Sequence, residues 1–171
     1  FSAGLAYEEN PTITYAPVQG EHYLRQFMSP IPLDILLLAV RSMTSGGQLF
    51  TLLVNRVNEL PNSDFLDGPS AEPDQRFARF VELMMELQKA GVLDLLEDPR
   101  KDIAFDVVID GNAPQYSKKI HELLDLLDLQ RPADATGDMV IPAFFAVRGK
   151  KMWGIAITTR STLDLIEILR A

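Results

Sequence analysis

The fold turns on Met139-Val-Ile-Pro-Ala-Phe-Phe-Ala-Val147, Arg148-Gly149-Lys150-Lys151 and Met152-Trp-Gly-Ile-Ala-Ile-Thr158. Apolar residues, many of them β-branched or aromatic, dominate both outer runs, as expected of strands half-buried in a sheet. A short Gly-containing link between two such runs predicts a β-hairpin, with 139–147 and 152–158 pairing antiparallel. Pro142 lacks a ladder N–H, which places its strand at a sheet edge or the proline at a bulge.

Ser161 can cap the helix that follows, with Asp164 three residues on, and that helix is expected to bury Leu163, Ile166 and Leu169. Upstream, Pro114 opens a helix whose apolar face is Ile120, Leu123, Leu124 and Leu127, ended by Arg131-Pro132. Val92–Leu96 and Ile103–Ile109 read as short strands, and Asp110-Gly111-Asn112 as the turn leaving the second. With the Val92–Leu96 strand before it, the order from Ile103 onward therefore reads β-α-β-β-α.

Residues 21–91 carry a helical period instead. Glu21–Met28 is a short helix with Tyr23, Leu24 and Phe27 on one side, stopped by Ser29-Pro30-Ile31-Pro32. Leu33–Met43 is apolar almost all round, which predicts a helix covered on several sides. Ser45-Gly46-Gly47-Gln48 has the capping-box spacing and starts a third helix, with Leu49, Leu52, Leu53, Val57 and Leu60 on one face and Pro61 at its end. Asn62–Glu72 is a polar surface loop. A fourth helix then places Phe77, Phe80, Val81, Met84 and Leu87 on one face, with Gly91 as its C-cap.

At the N-terminus, Pro11-Thr-Ile-Thr-Tyr-Ala-Pro17 alternates β-favouring residues between prolines and reads as an edge strand. The fold class is α+β: one domain over 1–171, with a mixed, mainly antiparallel sheet of about four or five strands packed with five to six helices. The helical part covers about 21–91 and the β-α-β-β-α part about 92–171.

The chain of 171 residues has a net charge of −8, 47% hydrophobic residues and no cysteine. That excess of acid repels phosphate backbones and argues against nucleic acid as a partner. Without cysteine there is no thiolate nucleophile, disulfide or thiolate metal site. The longest apolar run, Ile35–Val40, is far shorter than the ~20 residues a membrane span needs. A start at Phe1, without an initiator Met, is read as a fragment of a longer chain.

Several stretches resemble a group of uncharacterised bacterial proteins of the exported-lipoprotein type. They are Gly4-Leu-Ala-Tyr7, Glu9-Asn-Pro11-Thr-Ile-Thr-Tyr15, Pro17 with Gly20, Pro30-Ile-Pro32, and Thr159-Arg160-Ser161 before the last helix. Met43-Thr44-Ser45 and Asn58-Glu59 stand where that group tends to have Gly-Trp and Asn-Gly. The resemblance implies an N-terminal lipid anchor upstream of Phe1 and residence on the periplasmic side of an outer membrane. It implies no activity, and it makes that anchor the chain's membrane attachment.

Few residues carry chemical potential. His22 and His121 lie far apart, each beside a Glu, short of the three or four ligands a zinc site requires. No Gly-x-Ser-x-Gly elbow or Ser-x-x-Lys motif is present. Asn62, Asp64, Asp67 and Gly68 lack the spacing of an EF-hand loop. Gly46-Gly47 lacks the Lys of a phosphate-binding loop. Arg160, Ser161 and Thr162, at a helix start, are the best anion-binding candidates, because a guanidinium and free N–H groups could converge there.

The sequence therefore assigns no catalytic, cofactor or metal residues. It points to a non-enzymatic structural or assembly module of a cell-envelope protein, engaging a protein partner or itself through edge strands near Pro11–Tyr15 or Met139–Val147 and through its leucine-rich helices. The alternative is a small anionic-ligand-binding domain centred on Arg160.

Overall fold

Residues 20–42, 45–62, 75–100, 102–132 and 137–170 are described in the computed structural model. The predicted edge strand at Pro11–Tyr15, and Asp64, Asp67 and Gly68 of the polar loop, lie outside them. The strands are β1 (Val54–Val57), β2 (Leu60–Pro61), β3 (Leu93–Glu97), β4 (Phe105–Ile109), β5 (Met139–Phe145) and β6 (Ile155–Thr159). They form one mixed sheet in the order β2-β1-β6-β5-β4-β3, antiparallel throughout except between β5 and β6. The helices are α1 (residues 20–28), α2 (Leu33–Ser42), α3 (Gly46–Leu53), α4 (Gln75–Lys89), α5 (Ser117–Leu126) and α6 (Thr162–Arg170). This is the expected α+β class, with six strands where four or five were anticipated.

Period-two burial in the strands shows why the sheet has one covered face. Leu93, Ile109 and Met139 align across β3, β4 and β5, as do Leu95, Val107 and Ile141, and all six are buried. Helices supply the other half of this core. Phe50 of α3 and Phe77 and Phe80 of α4 form an aromatic cluster with ring centroids 6.0–6.2 Å apart, close enough for specific ring–ring attraction beyond area burial. The opposite sheet face is less covered, and Leu96 and Val140 on it are exposed.

The predicted 139–147/152–158 hairpin is corrected: β5 and β6 are parallel, with Ala143 opposite Ile155 and Phe145 opposite Ile157. The reversal inferred from Gly149 exists, since Lys150 N–H donates to Val147 O at 3.1 Å. A second reversal follows at Gly154, whose φ is +140°. Two reversals restore the original direction, and the short link suffices because the strands are staggered and overlap over only three paired residues. Strand β5 is consequently internal, between β4 and β6, not the open edge expected of Met139–Val147. Pro142 is tolerated because Ala143 O accepts from Ala104 N–H on the β4 side, which turns Pro142 toward the side where β6 has not yet begun.

The third helix is also shorter than its apolar spacing implies. It ends at Leu53, and Val54–Pro61 forms a two-stranded hairpin with Val57 opposite Leu60. The β-branched Val54 and Val57 favour a strand, and Asn58 takes the left-handed turn conformation at φ 50°. Gly46 does begin the helix as expected, although the Ser45 side chain makes no capping bond.

Helix α4 buries its anticipated face. It closes at Gly91, where Gly91 N–H donates to Gln88 O and Val92 N–H to Leu87 O, satisfying carbonyls of the last turn. Arg79 of α4 grips Glu122 of α5 with two parallel bonds, Nε to Oε1 at 2.7 Å and Nη2 to Oε2 at 2.9 Å. Lys119 and Glu86 pair beside them. Helix α5 stops at Leu126, before the expected Arg131-Pro132, because Asp128 adopts φ 54° and lets Leu129 N–H turn back to Leu124 O.

Burial of the outer helices departs most from expectation. In α2, Leu33, Leu36, Leu37 and Val40 are buried but Ile35 and Leu38 face outward, so the helix is covered on one side only. In α6 none of Leu163, Ile166 and Leu169 is buried, against the expected core face. The apolar side of α1 (Tyr23, Leu24, Phe27) is exposed as well.

Candidate functional site

The three anion-binding candidates sit where β6 passes into α6, and the fold uses them unequally. Arg160 is only 2% exposed and points inward to the end of α3. Its Nη1 donates to Thr51 O at 2.9 Å and Leu52 O at 2.7 Å, while its backbone N–H donates to Leu53 O at 2.8 Å. The last carbonyls of a helix carry the negative end of its dipole, so a guanidinium there supplies both hydrogen bonds and charge complementarity.

Asn62 completes this cap. Its Nδ2 donates to Thr51 O and Val54 O, both at 2.7 Å, and it is buried, whereas the polar composition of 62–72 predicted a surface position. Arg160 O in turn accepts from Ile31 N–H, and Thr159 Oγ1 donates to Ile31 O. The junction thereby ties the end of α1, the start of α2, the end of α3 and the start of α6 together.

Ser161 and Asp164 form the expected reciprocal cap: Ser161 N–H donates to Asp164 Oδ2 at 2.8 Å and Asp164 N–H to Ser161 Oγ at 3.1 Å. Two of the amides that an anion would use are thus occupied from within the chain. Among the three candidates only Thr162 is exposed. What the arrangement does chemically is hold four chain segments in register.

Two further polar clusters had no motif to announce them. Asn58 Nδ2 donates to Leu127 O at 2.8 Å and Gly154 O at 3.2 Å, and its Oδ1 accepts from Ala156 N–H at 2.7 Å. One turn residue thereby fastens the β1–β2 hairpin to the end of α5 and the start of β6. The second cluster is Asp98, Arg100 and Asp106. Arg100 Nε donates to both oxygens of Asp98, its backbone N–H donates to Asp98 Oδ1, and its Nη2 also reaches Asp106 Oδ1 at 3.1 Å. The Asp98-Pro99-Arg100 spacing, which suits an Asx turn, is its one sequence signal.

Hydrogen bonds from the Arg100 side chain hold the Asp98 carboxyl well below the usual carboxylate range, against the opposing effect of its burial. Burial, followed by the neighbouring Asp98, pushes Asp106 upward. A depressed carboxyl contributes stability that is present above its unfolded value of about 4 and lost as pH falls further; a raised one loses its contribution as pH rises. Asp98→Asn is therefore expected to lower the thermal midpoint at pH 7, with the gap to the parent protein narrowing below about pH 4. Asp106→Asn, which mimics the protonated carboxyl, is expected to leave the midpoint at pH 7 at or above that of the parent. A flat pH profile for the Asp98→Asn difference contradicts this assignment.

His22 stacks edge-on to Tyr23 on exposed α1, and His121 Nδ1 lies 3.2 Å from Ser117 O on α5. Among the described residues no three His, Asp or Glu side chains gather as a metal site would require. No helix among them is long and apolar enough to cross a membrane. No protein-family model, curated protein or solved structure matches the chain.

Proposed function

We propose that this domain is a non-catalytic assembly module of a cell-envelope protein, which docks onto another envelope protein through the outward apolar sides of α1, α2 and α6. The observation that carries the reading is the exposure of Tyr23, Leu24, Met28, Leu38 and Leu169, the last two at 67% and 75%, on helices whose ends meet at residues 29–32 and 159–162. Scattered exposed leucines are ordinary, whereas apolar residues repeated along three converging helices mark a surface adapted to a partner. The envelope location is taken from the resemblance of the N-terminal run to exported lipoproteins.

Edge-strand addition is the weaker mode of docking. At the outer strand β3, Asp94 Oδ1 accepts from Leu95 N–H at 2.8 Å and so occupies a donor that an added strand would need.

Chemical cross-linking of the full-length protein in its native membrane tests the reading, with a Leu38→Lys/Leu169→Lys variant as control. Both side chains are solvent-exposed, so the double variant is expected to keep its fold, each change costing within about 0.5 kcal/mol, while losing the cross-linked species. A full-length protein that forms no cross-linked species, or whose species survive the double change, overturns the proposal.

A further inference from the structure

A second surface, chemically unlike the helical one, is built by the link between β5 and β6. Every residue from Phe145 to Trp153 is exposed. Within it Arg148, Lys150 and Lys151 contribute three cations and no acid intervenes, although the whole chain carries −8. No side-chain hydrogen bond or ion pair holds any of the three cationic groups among the described residues. Phe145, Val147, Met152 and Trp153 flank them, each 39–58% exposed.

The loop is held in this form. Gly154 fits beneath Pro142 O, Ala146 N–H donates to Ile157 O at 2.9 Å, and Phe144 is buried at its base. Open clefts of about 310 and 520 Å³ border it, and Val147, Lys150 and Met152 line both.

We propose that loop 145–153 is a docking surface for an anionic phospholipid bilayer. Arg148, Lys150 and Lys151 would meet the headgroup phosphates, and Trp153, Met152, Val147 and Phe145 would rest in the interfacial layer beside them. Three reasons favour this occupant. Lys and Arg can lay their aliphatic stems along apolar surface while the charged ends reach phosphate. Tryptophan is favoured at membrane–water interfaces, and the only tryptophan of the chain is in this loop. An exposed segment with cations between apolar shoulders needs no shape-matched groove, only a negative, partly apolar plane.

The net charge of −8 weakens attraction to any phosphate surface, but at physiological salt charges more than about 8–10 Å from the loop are largely screened, which leaves its own three cations to set the contact. Nearby acids are few. Asp102 shares one cleft with Lys150, and Asp128 and Glu59 line the other, where Glu59 pairs with Arg56 at 3.3 Å.

The single tryptophan makes the test direct. The 171-residue chain is titrated with phosphatidylglycerol vesicles, with phosphatidylcholine vesicles and with poly-glutamate, and its tryptophan emission followed. A blue shift with phosphatidylglycerol is expected, with a preference over phosphatidylcholine on the order of 100-fold at about 0.1 M salt, lost by about 0.5 M salt. Arg148→Glu/Lys150→Glu/Lys151→Glu should abolish the shift while circular dichroism and thermal midpoint stay unchanged. The Leu38→Lys/Leu169→Lys variant should retain it, which separates this surface from the helical one.

Absence of a shift with phosphatidylglycerol overturns the proposal. So does an equal response to both lipids, or persistence of the shift after charge reversal. A shift with poly-glutamate and none with vesicles would reassign the loop to an acidic protein.

Discussion

Arg160→Ala is expected to destabilise the domain by about 3–5 kcal/mol, the range for removing a large buried side chain together with its charge-assisted hydrogen bonds. Three effects act together. The substitution empties the volume of a fully buried side chain, removes the guanidinium bonds to Thr51 O and Leu52 O while Asn62 Nδ2 stays on Thr51 O, and removes the positive charge from the end of α3. Arg160→Met separates the terms, because it refills most of the volume but restores no donor; it is expected to recover part of the loss. Urea unfolding followed by circular dichroism reads both. A loss below about 1 kcal/mol for Arg160→Ala would mean the cap does not hold the junction. A ligand assay on Arg160→Ala would report unfolding, so Thr162, exposed and outside the cap, is the position to vary in testing an anion-binding role.

The second large effect is expected at Gly154. Its φ of +140° is strained for any residue with a side chain, and a Cβ there would stand 2.4 Å from Pro142 O and 2.9 Å from Phe144 Cε1. Backbone atoms cannot yield as a flexible side chain can, so β5 and β6 would have to separate. A cost of about 3–5 kcal/mol is expected for Gly154→Ala, summing backbone strain and overpacking. Gly149→Ala is the matched comparison, at φ +81° with nothing within 4 Å of the added carbon. It is expected to cost about 1 kcal/mol, the left-handed penalty alone. Equal losses at the two glycines would show that the close approach of Gly154 to β5 contributes nothing.

Local rules carried far where the physics is local. The α4 face Phe77-Phe80-Met84-Leu87, the closing Gly91, the Ser161–Asp164 cap and the α5 face Ile120-Leu123-Leu124-Leu127 each depend on residues within a turn or two of one another, and each was legible. Where a competing local preference intervened, the apolar period misled. Val57 and Leu60 continue a helical spacing from Leu49, yet β-branching and the turn at Asn58 make them a hairpin, and pairing of β1 with both β2 and β6 secures it.

The candidate site was legible as a place but not in its role. Arg160 and Ser161 stand at a helix start, as their order in the chain implies. That the guanidinium turns inward depends on the end of α3, more than 100 residues away, reaching that spot. Asn58 was missed for the same reason, since it finds its partners 69 and 96 residues along the chain, whereas the Asp98–Arg100–Asp106 cluster is local and left only the Asx-turn spacing as a signal.

Composition and periodicity were enough to establish the α+β class, the identity of the inner helices and the lack of a familiar catalytic motif, because burial of apolar faces at periods of 2 and 3.6 is a property of the chain alone. The direction of β6 against β5, the inward turn of Arg160 and the exposure of α1, α2 and α6 required the folded molecule. Each depends on which surfaces meet in space, and an apolar stripe reads the same in sequence whether the fold covers it or leaves it open.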